Sequence, residues 1–402
     1  MPTILQINST LNLGSTGRIA EQISLMAEVQ GWNCYIAHGA RYVNASKIHS
    51  IQIGTKWGNI LHAIMGEYFG LHGFGSTLAT YMFIRKVKKI NPDVIHLHNL
   101  HGYYINIVLL FRYLAKVNIP VIWTLHDCWA FTGHCTHFES QGCYKWKTEC
   151  GHCPLLMLQY KSRLIDRSKR NFLIKKNLYS NIKNMTITPV SNWLGNLVKE
   201  SILKEHKIQV IHNGIDLDLF KPCLSNIKER IGIGKDKKMI LGVVDSGFKG
   251  KKEFIELSKD SNFQVVIVGV RKKWKKDIPD NIICIPRTNS QKELAEFYSA
   301  ADVYVNPTQN DTFPTTNIEA IACGTPVVTY NAGGSPEILD ESTGIVVERN
   351  DIKALHKAIE CILKAGKQHY LTPCRNRATL YFNKNDRFRD YLNLYAKLSG
   401  AE

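Results

Sequence analysis

Hydrophobic residues along the chain form short runs rich in valine and isoleucine, separated by longer stretches in which apolar positions have helical spacing. This alternation is typical of parallel β-sheets covered by helices on both faces. In the first half, the predicted strands are TILQIN (3–8), NCYIAHG (33–39), VIHLHN (94–99), VIWTLHD (121–127) and MTITPVS (185–191). In the second half, they are IQVIHN (208–213), MILGVV (239–244), FQVVIVG (263–269), IICIPR (282–287), VYVNP (303–307) and PVVTY (326–330).

The strands form two series that meet near residue 215, which predicts an α/β protein with two doubly wound parallel sheets. The segment NGIDLDLFKP (213–222) contains Gly, Asp and Pro and is interpreted as an interdomain linker. The predicted domains are residues 1–213 and 214–384. Residues 385–402 form a C-terminal segment, in which 385–398 has the pattern of an amphipathic helix.

The composition fits a globular protein, with 402 residues, 44% hydrophobic and 21% charged. A chain of this length usually divides its core between domains. The first apolar run is too short for a signal peptide, and no run of ~18 apolar residues indicates a membrane span. We therefore expect a cytoplasmic protein.

Basic residues outnumber acidic ones by 51 to 34, which gives a formal charge of +17. Such an excess favours an anionic partner, which includes nucleic acid, nucleotide phosphates and an anionic membrane surface. A solvated surface that serves only solubility explains it equally well. Local clusters occur at 85–89 (RKVKK) and 271–276 (RKKWKK), and neither belongs to a nucleic-acid-binding motif.

Two glycines, Gly14 and Gly17, lie in the turn from the first strand into a helix. Glycine lets the backbone approach a ligand, and the free amides of a helix start favour a phosphate or carboxylate. The spacing differs from GxGxxG, so a dinucleotide site is weakly supported, and a plain strand-to-helix turn is the alternative.

Histidines follow two of the predicted strands. His126 and Asp127 stand where a parallel strand ends, the position at which ligand crevices form in open α/β sheets. They are candidates for hydrogen bonds to sugar hydroxyls, and a polar pair that only closes the strand is the alternative. His96, His98 and His101 surround another strand end and are interpreted as mainly structural.

Five of the 11 cysteines fall within residues 128–153. Cys135, Cys143, Cys150 and Cys153 could form a tetrahedral zinc site that staples this insert, with free buried thiols as the alternative. His134, His137 and His152 are substitutes for one thiolate. A disulfide framework is disfavoured in a cytoplasmic protein.

The stretch QNDTFPTTNIEAIACGTPVV (309–328) contains two acids eight positions apart, Asp311 and Glu319. Thr316 and Glu319 have the spacing of a capping box, which explains Glu319 by helix stability alone.

The motifs in the second half resemble in order and spacing the retaining glycosyltransferases of family 4, which have the GT-B fold. The resemblance is carried by ITPVSNWLGNLVKESI, IQVIHNGIDLDLFKP, FKGKKEFIEL and the segment from LAEFYSAADVYVNP to GGSPEIL. It extends over nearly the whole chain. GSTGRIAEQI and TLHDCWAFTGHC resemble a bacterial branch that builds capsular polysaccharide, exopolysaccharide or related surface glycans.

The resemblance implies two Rossmann-like domains facing a central cleft. The N-terminal domain would bind the acceptor and the C-terminal domain the nucleotide sugar, and residues 385–402 would pack back towards the N-terminal domain. The acid pair of the family falls on Asp311, where Glu is usual, and Glu319. The implied roles are contact with the donor sugar for Asp311, ribose binding for Glu319, and phosphate contacts for Thr315 and Thr316.

Other family positions match Lys249, which would neutralise the leaving diphosphate, Gly17 in a loop that meets the diphosphate, and His126, which would line the acceptor side of the sugar. An Arg that usually precedes the Lys is absent, because Asp245 and Ser246 occupy that region. Lys251, Lys252 or Arg18 could supply part of its charge.

The implied reaction transfers a sugar with retention from a nucleotide sugar to a glycan or lipid-linked acceptor. It requires no cofactor, so any zinc would be structural. A lipid-linked acceptor suggests peripheral contact with an anionic membrane through Arg85–Lys89 and residues 66–74, and no specific nucleic acid is expected. The alternatives are a nucleotide-sugar-binding protein without transfer activity and a zinc-stapled nucleic-acid-binding protein.

Overall fold

The computed structural model describes residues 1–244 and 248–400. It divides into two compact units. Unit 1 comprises Met1–His212 and the residues from Arg387 onward, and unit 2 comprises Asn213–Asp386.

The sheet of unit 1 has seven parallel strands in the order β3-β2-β1-β4-β5-β6-β7. All five strands predicted for the first half are confirmed. The strands are β1 (Thr3–Asn8), β2 (Asn33–Gly39), β3 (His49–Ile53), β4 (Val94–Leu97), β5 (Val121–Leu125), β6 (Met185–Pro189) and β7 (Lys207–Ile208).

Two edge strands differ from the prediction. Strand β3 was not predicted, because HSIQI is largely exposed and lacks the apolar run of the central strands. The predicted strand 208–213 was placed in the second series, which is wrong, since β7 is only two residues long and pairs with β6 in unit 1.

Helices cover the strands of unit 1. They are α1 (Gly14–Val29), α2 (Lys56–Phe69), α3 (Thr77–Ile90), α4 (Ile107–Leu114), α5 (Ser168–Tyr179) and α6 (Asn192–Lys199). The cysteine-rich insert has little regular structure, with two short 3₁₀ helices at Glu139–Gln141 and Lys145–Lys147.

The sheet of unit 2 has six parallel strands in the order β10-β9-β8-β11-β12-β13. They are β8 (Lys238–Val243), β9 (Phe263–Val268), β10 (Ile283–Ile285), β11 (Val303–Asn306), β12 (Val327–Tyr330) and β13 (Gly344–Val347). The helices are α7 (Ile227–Arg230), α8 (Lys251–Leu257), α9 (Lys272–Lys275), α10 (Gln291–Ala300), α11 (Thr315–Ala322), α12 (Ile352–Ala365) and α13 (Lys367–Tyr381), with a 3₁₀ helix at Pro336–Ile338. Five of these strands were predicted, and β13 was missed.

The C-terminal helix α14 (Lys384–Ser399) completes the core of unit 1. Its buried apolar face joins residues of β1, α1, β2 and β4 in one hydrophobic cluster. That face consists of Phe388, Tyr391, Leu392, Leu394 and Tyr395. The last residues of the chain therefore stabilise its first strand.

Within the described residues, no helix combines the length and the apolar character needed to cross a bilayer.

Because Phe388 is 2% exposed in this cluster, we expect Phe388→Ala to destabilise unit 1 by about 3–5 kcal/mol. Urea unfolding followed by tryptophan fluorescence measures this, since Trp274 is the only tryptophan of the sequence outside unit 1. Leu380→Ala is the control, because Leu380 is 68% exposed on α13 and should cost less than about 0.5 kcal/mol. Equal midpoints for the two variants would contradict this role of α14.

Candidate functional site

The winding of the unit 2 sheet reverses between β8 and β11, which are neighbours although they are not consecutive in the chain. In open α/β sheets, ligands bind outside the carboxyl ends of the strands at such a switch point. The segment after β8 contains Lys249, and the loop after β11 contains Asp311 and leads into α11. The fold therefore brings together two residues that are 62 positions apart in the sequence.

Lys249 contacts the loop that follows β11. Its Nζ donates a hydrogen bond to the carbonyl oxygen of Asn310 at 3.0 Å and lies 3.9 Å from Oδ2 of Asp311. The adjacent Gly250 has φ +76°, and a Cβ there would lie 2.3 Å from Cγ of Pro307. The turn thus needs glycine to bring Lys249 against this loop. Asp245 and Ser246, which stand where the family has an Arg, lie outside the described residues.

Asp311 is held by its own loop. Its Oδ1 accepts a hydrogen bond from the amide of Phe313 at 3.3 Å, and its carbonyl accepts one from the amide of Gly334 at 3.2 Å. A Cβ at Gly333 would lie 1.7 Å from that carbonyl oxygen, so glycine at 333 is required by close backbone approach. The carboxylate remains partly exposed beside the ammonium of Lys249.

The predicted capping box of Thr316 and Glu319 is wrong. Helix α11 begins at Thr315 with Pro314 as its N-cap, so Thr316 lies inside the first turn and cannot cap it. No side chain among the described residues caps this helix start, and its first turn contains no acid. The amides and the positive end of the helix dipole at Thr315 and Thr316 are therefore suited to an anion.

Glu319 is positioned by a buried tyrosine instead. The hydroxyl of Tyr298 on α10 donates a hydrogen bond to Oε2 of Glu319 at 3.0 Å. Tyr298 is fully buried, and burial next to this carboxylate raises its pKa well above the usual value. The phenol therefore stays protonated and fixes the orientation of Glu319. Nothing in the sequence pattern had indicated Tyr298.

In unit 1, the sheet reverses between β1 and β4. Gly17 lies in the first turn of α1, which starts at Gly14 and has no side-chain cap. A Cβ at Gly17 would lie 2.6 Å from Oγ1 of Thr10 and 3.2 Å from the amide of Asn12. Glycine is therefore needed here for packing of the loop after β1, whether or not a ligand binds.

His126 and Asp127 follow β5 and are both partly exposed. Oδ2 of Asp127 lies 2.6 Å from Nε2 of His101, and Oδ1 accepts a hydrogen bond from the amide of Trp129. The interaction with His101 outweighs burial and lowers the pKa of Asp127 to about 2. Tyr160 in turn hydrogen-bonds Nδ1 of His101 at 2.7 Å. Asp127 is thus an ionised carboxylate in a fixed orientation.

His126 belongs to a buried hydrogen-bond network that the sequence did not reveal. Its Nε2 lies 3.2 Å from Nδ1 of His98, and Nε2 of His98 lies 2.7 Å from Oε1 of Gln6. His96 packs against His98 with ring centroids 4.1 Å apart and contacts Tyr395 and Thr124. A polar residue inside the apolar strand TILQIN was the available signal for Gln6.

Burial keeps these imidazoles neutral. It lowers the pKa of His126 to about 4 and that of His96 to about 3, and it holds the pKa of His98 well below the usual value. His96 and His98 lie in the core, and the interpretation of His96, His98 and His101 as mainly structural stays a prediction.

A buried lysine supports the loop after β5. Nζ of Lys175 donates hydrogen bonds to the carbonyls of Trp129 and Thr132 at 2.5 and 3.0 Å and lies 3.4 Å from the ring centroid of Trp129. Desolvation lowers its pKa to about 7. Lys175 ties α5 to the segment that follows His126 and Asp127.

The four cysteines expected to bind zinc are not gathered at ligand distances within the described residues. The sulfurs of a tetrahedral site lie about 3.8 Å apart, from zinc–sulfur bonds of about 2.3 Å. Among the described residues, no three of Cys135, Cys143, Cys150 and Cys153 bring their sulfurs within 4.8 Å of one another. Burial raises the pKa values of Cys135, Cys150 and Cys153, which favours the thiol forms. The cysteines are described as free thiols.

One group of potential metal ligands does meet this distance criterion within the described residues, namely Asp260, His356 and Glu360 in unit 2. His356 uses Nε2 towards Asp260 at 2.9 Å and Nδ1 towards Glu360 at 3.5 Å. Since the two ring nitrogens of the imidazole face different carboxylates, the arrangement is explained as a partly exposed network of polar side-chain contacts.

Two family models match the chain, one mainly in unit 1 and one in unit 2. Glycosyltransferase Family 4 matches residues 59–219, and Glycosyl transferases group 1 matches residues 225–377. The chain is 23% identical over 418 aligned positions to WcaC of Escherichia coli K12, which is assigned as a glycosyl transferase of colanic acid biosynthesis. The alignment covers 98% of this chain and 100% of WcaC.

Two solved structures have the same fold. The sucrose-phosphate synthase of Thermosynechococcus elongatus has a TM-score of 0.76 at 18% identity, with 100% of both chains covered. Anabaena HepE in complex with UDP-glucose has a TM-score of 0.66 at 13% identity, with 98% of this chain and 99% of HepE covered.

We expect the stability of unit 1 to fall as the pH is lowered from 6.5 towards 5. An unfolded histidine binds a proton below its pKa of about 6.5, whereas folded His96 stays neutral to about pH 3, so acid favours the unfolded state. At pH 5, His96 alone should cost about 2 kcal/mol. Urea midpoints at pH 7.5 and 5.0 measure the effect.

Two control variants separate the contribution of His96 to the loss of stability at low pH from the contributions of other titrating groups. His96→Asn should reduce the difference between the two pH values, while His49→Asn should not, because His49 is exposed. A wild-type midpoint that is independent of pH would contradict the assignment of neutral buried histidines.

Proposed function

The chain belongs to family 4 of the glycosyltransferases and has the two-domain GT-B fold, and from this premise we propose that it transfers a sugar from a nucleotide-sugar donor with retention of configuration. The proposed acceptor is a glycan or a lipid-linked sugar in the synthesis of a bacterial surface polysaccharide. The relation to WcaC, a protein of colanic acid biosynthesis, supports this product class. HepE, whose structure contains UDP-glucose, supports a nucleotide-sugar donor.

The observation that carries the proposal is the arrangement at the switch point of unit 2. A lysine ammonium, a carboxylate, an uncapped helix start and a second carboxylate follow one another along the ends of β8 and β11. With the capping box excluded, Glu319 has no role in starting α11. Its orientation by Tyr298 is suited to binding two adjacent hydroxyls, such as those of a ribose.

The chemistry proposed for this site is mainly electrostatic. Departure of the nucleoside diphosphate develops negative charge, which Lys249 and the amides of Thr315 and Thr316 stabilise. In unit 1, the backbone at Gly17, at the uncapped start of α1, is proposed to contact a phosphate group. Asp311 contacts hydroxyls of the transferred sugar, and no residue is assigned as a covalent nucleophile.

Asp311 and Lys249 lie close enough for their charges to interact before a ligand binds. Asp311 lies 3.9 Å from Lys249, so its charge partly compensates the lysine before substrate binds. Approach of a diphosphate would draw the flexible ammonium towards the ligand, because a diphosphate carries more charge than one carboxylate. In unit 1, His126 and Asp127 are proposed to contact sugar hydroxyls.

No cofactor is proposed. Glycosyl transferases of this group typically act without a metal ion, and the neutralising charge here is assigned to Lys249 and helix α11.

We also propose peripheral binding to an anionic membrane through α2 and α3. Helix α2 carries Trp57, Leu61, Ile64 and Tyr68 at one-face spacing, and they are 80%, 59%, 46% and 41% exposed. Its buried face contains instead Asn59, His62 and Gly66. This reversal of the usual pattern leaves an apolar stripe in water, which indicates an interaction surface.

Helix α3 supplies the matching charge. His62 of α2 hydrogen-bonds Ser76 at the start of α3 at 2.9 Å, so the helices adjoin. The exposed face of α3 begins with Leu78 and Met82 and ends with Arg85 and Lys89. Apolar and basic groups together fit an anionic lipid surface. Of the stretch 66–74 expected to contact lipid, only Tyr68 and Phe69 are exposed.

We expect Glu319→Gln to weaken binding of the nucleotide sugar about 10- to 100-fold, because one partner of a charge-assisted hydrogen bond is lost. Lys249→Ala should lower kcat about 100-fold or more, since the developing charge loses its cation. A thermal-shift screen of UDP-, GDP- and ADP-sugars first identifies the donor. Calorimetry and turnover measurements then quantify the two effects.

The controls are Glu341→Gln and Lys353→Ala, which change the same types of side chain at exposed positions of unit 2. Donor affinity that Glu319→Gln leaves unchanged on folded protein would exclude the ribose role. Tight nucleotide binding with neither transfer nor donor hydrolysis would favour the alternative of a binding protein without activity.

For the membrane surface, we expect the double variant Arg85→Gln, Lys89→Gln to lower affinity for phosphatidylglycerol vesicles about 30-fold, since each charge contributes about 1 kcal/mol, or about fivefold. Lys272→Gln with Lys275→Gln, which removes the same charge from exposed positions of unit 2, should have little effect. Sedimentation with vesicles measures both. Equal losses for the two double variants would show that only net charge matters and would contradict a surface on α3.

A further inference from the structure

The hydrogen bonds of Gln6 fix the direction of its side-chain amide. Gln6 is fully buried on β1, and its Nε2 donates to the carbonyl of Ala20 at 2.8 Å and to Oγ of Ser24 at 2.7 Å. A peptide carbonyl can only accept, so the nitrogen must face Ala20. Oε1 of Gln6 therefore faces Nε2 of His98, at 2.7 Å.

This direction determines the tautomer of His98. Since Oε1 of Gln6 only accepts, Nε2 of His98 carries the hydrogen. The ring is neutral, because burial and its two neighbouring imidazoles hold its pKa well below the usual value. Nδ1 of His98 is then a lone-pair acceptor.

The same reasoning extends one residue further. Nε2 of His126 lies 3.2 Å from the acceptor Nδ1 of His98, so His126 must donate from Nε2. A neutral imidazole has only one N–H, and Nδ1 of His126 is consequently an acceptor without hydrogen. The ring is partly exposed, and within the described part of the chain Nδ1 has no hydrogen bond.

We infer that Gln6 and His98 are positioning residues that hold His126 as a hydrogen-bond acceptor at Nδ1, so that His126 receives a group that donates, namely a sugar hydroxyl. This inference rests on the proposed function for the identity of the ligand. The tautomer itself follows from the protein alone. A ligand atom that can only accept, such as a carboxylate oxygen or a fluorine in place of the hydroxyl, is disfavoured at this position.

The hydrogen bonds that run from Gln6 through His98 to His126 form a relay. This relay explains why a glutamine stands in the centre of a strand whose other buried side chains are mostly apolar. Each of its polar atoms is satisfied, and each bond has only one possible direction. When the donor and acceptor of every hydrogen bond in a network are determined, the tautomer of its last imidazole is determined too. An apolar residue in place of Gln6 would leave both tautomers of His98, and therefore both tautomers of His126, accessible.

The first test needs no substrate. In protein labelled with ¹⁵N-histidine at pH 7.5, long-range ¹H–¹⁵N spectra distinguish a protonated from a bare ring nitrogen, and His126→Asn assigns the signal. We expect His126 to have a protonated Nε2 and a bare Nδ1. A protonated Nδ1 in the wild-type protein overturns the inference, whatever the variants do.

The second test removes the origin of the relay. Gln6→Met keeps the side-chain length but removes the acceptor for His98, and we expect the signals of His126 to shift towards the Nδ1–H form. Tyr395→Phe is the control, since it removes the hydroxyl that contacts His96 at 2.6 Å and leaves Gln6, His98 and His126 intact. Signals of His126 that Gln6→Met leaves unchanged, on folded protein, overturn the role of Gln6.

The last test separates the relay from the proposed function. Once a donor and acceptor are known, Gln6→Met should raise KM for the substrate bearing the contacted hydroxyl about tenfold. Discrimination against its deoxyfluoro analogue should fall by a similar factor, with Tyr395→Phe unchanged in both. If the spectra show the expected tautomers but no nucleotide sugar binds, the relay stands and the proposed function fails. If transfer occurs and neither KM nor discrimination responds to Gln6→Met, the proposed function stands and the inference is overturned.

Discussion

Parallel pairing of every strand is the constraint on which both units depend. Each central strand is covered on both faces, so its side chains belong to the core, and polar chemistry is confined to the strand ends. Helical connections occupy most of those ends. Where the winding reverses, between β1 and β4 in unit 1 and between β8 and β11 in unit 2, two neighbouring loops diverge and leave space for a ligand. Lys249 and Asp311 meet at one of these points, and the hydrogen-bonded residues Gln6 and His98 lie on the strand β1 and just after β4 at the other.

The two units satisfy this constraint with different electrostatics. In unit 2, the charged groups remain near solvent, and Lys249 is about half exposed. Solvent therefore weakens the electrostatic attraction between these groups and a ligand. In unit 1, the histidines His96 and His98 lie in the core and are kept neutral by desolvation, while the ionised Asp127 lies nearer the surface. A neutral imidazole has one donor nitrogen and one acceptor nitrogen. The hydrogen bonds from Gln6 to His98 and from His98 to His126 therefore determine which nitrogen of each ring donates. The first arrangement suits a diphosphate, and the second suits hydroxyl groups.

Much of the architecture could be predicted from the sequence, because parallel strands that are buried on both faces consist of continuous apolar runs. The edge strand β3 lacks such a run and is not predicted from the sequence. Strand β7 has only two residues, too few to indicate which sheet it joins, and the prediction places it in the wrong sheet. The match of Lys249 and Asp311 to family positions depends on local motifs that flank the strand ends, and the structure brings these two residues together. The capping box failed because the start of a helix depends on backbone conformation, which put Pro314 rather than Thr316 at the N-cap. The expected zinc ligation by the cysteines of residues 128–153 stays a prediction, since spacing along the chain does not fix distances between sulfurs. Gln6 and Tyr298 act through contacts between segments far apart in sequence, which no local pattern encodes.

The central claim is that the ends of β8 and β11 bind the nucleotide sugar. Hydrogen–deuterium exchange with and without the donor selected by thermal shift tests it most directly, because protection is read segment by segment. The account predicts that added donor protects the amides from Lys249 to Lys251 and from Asp311 to Glu319, while β10 and β13 at the sheet edges stay unchanged. Saturating donor that protects the edge strands and leaves the start of α11 unaffected would contradict it.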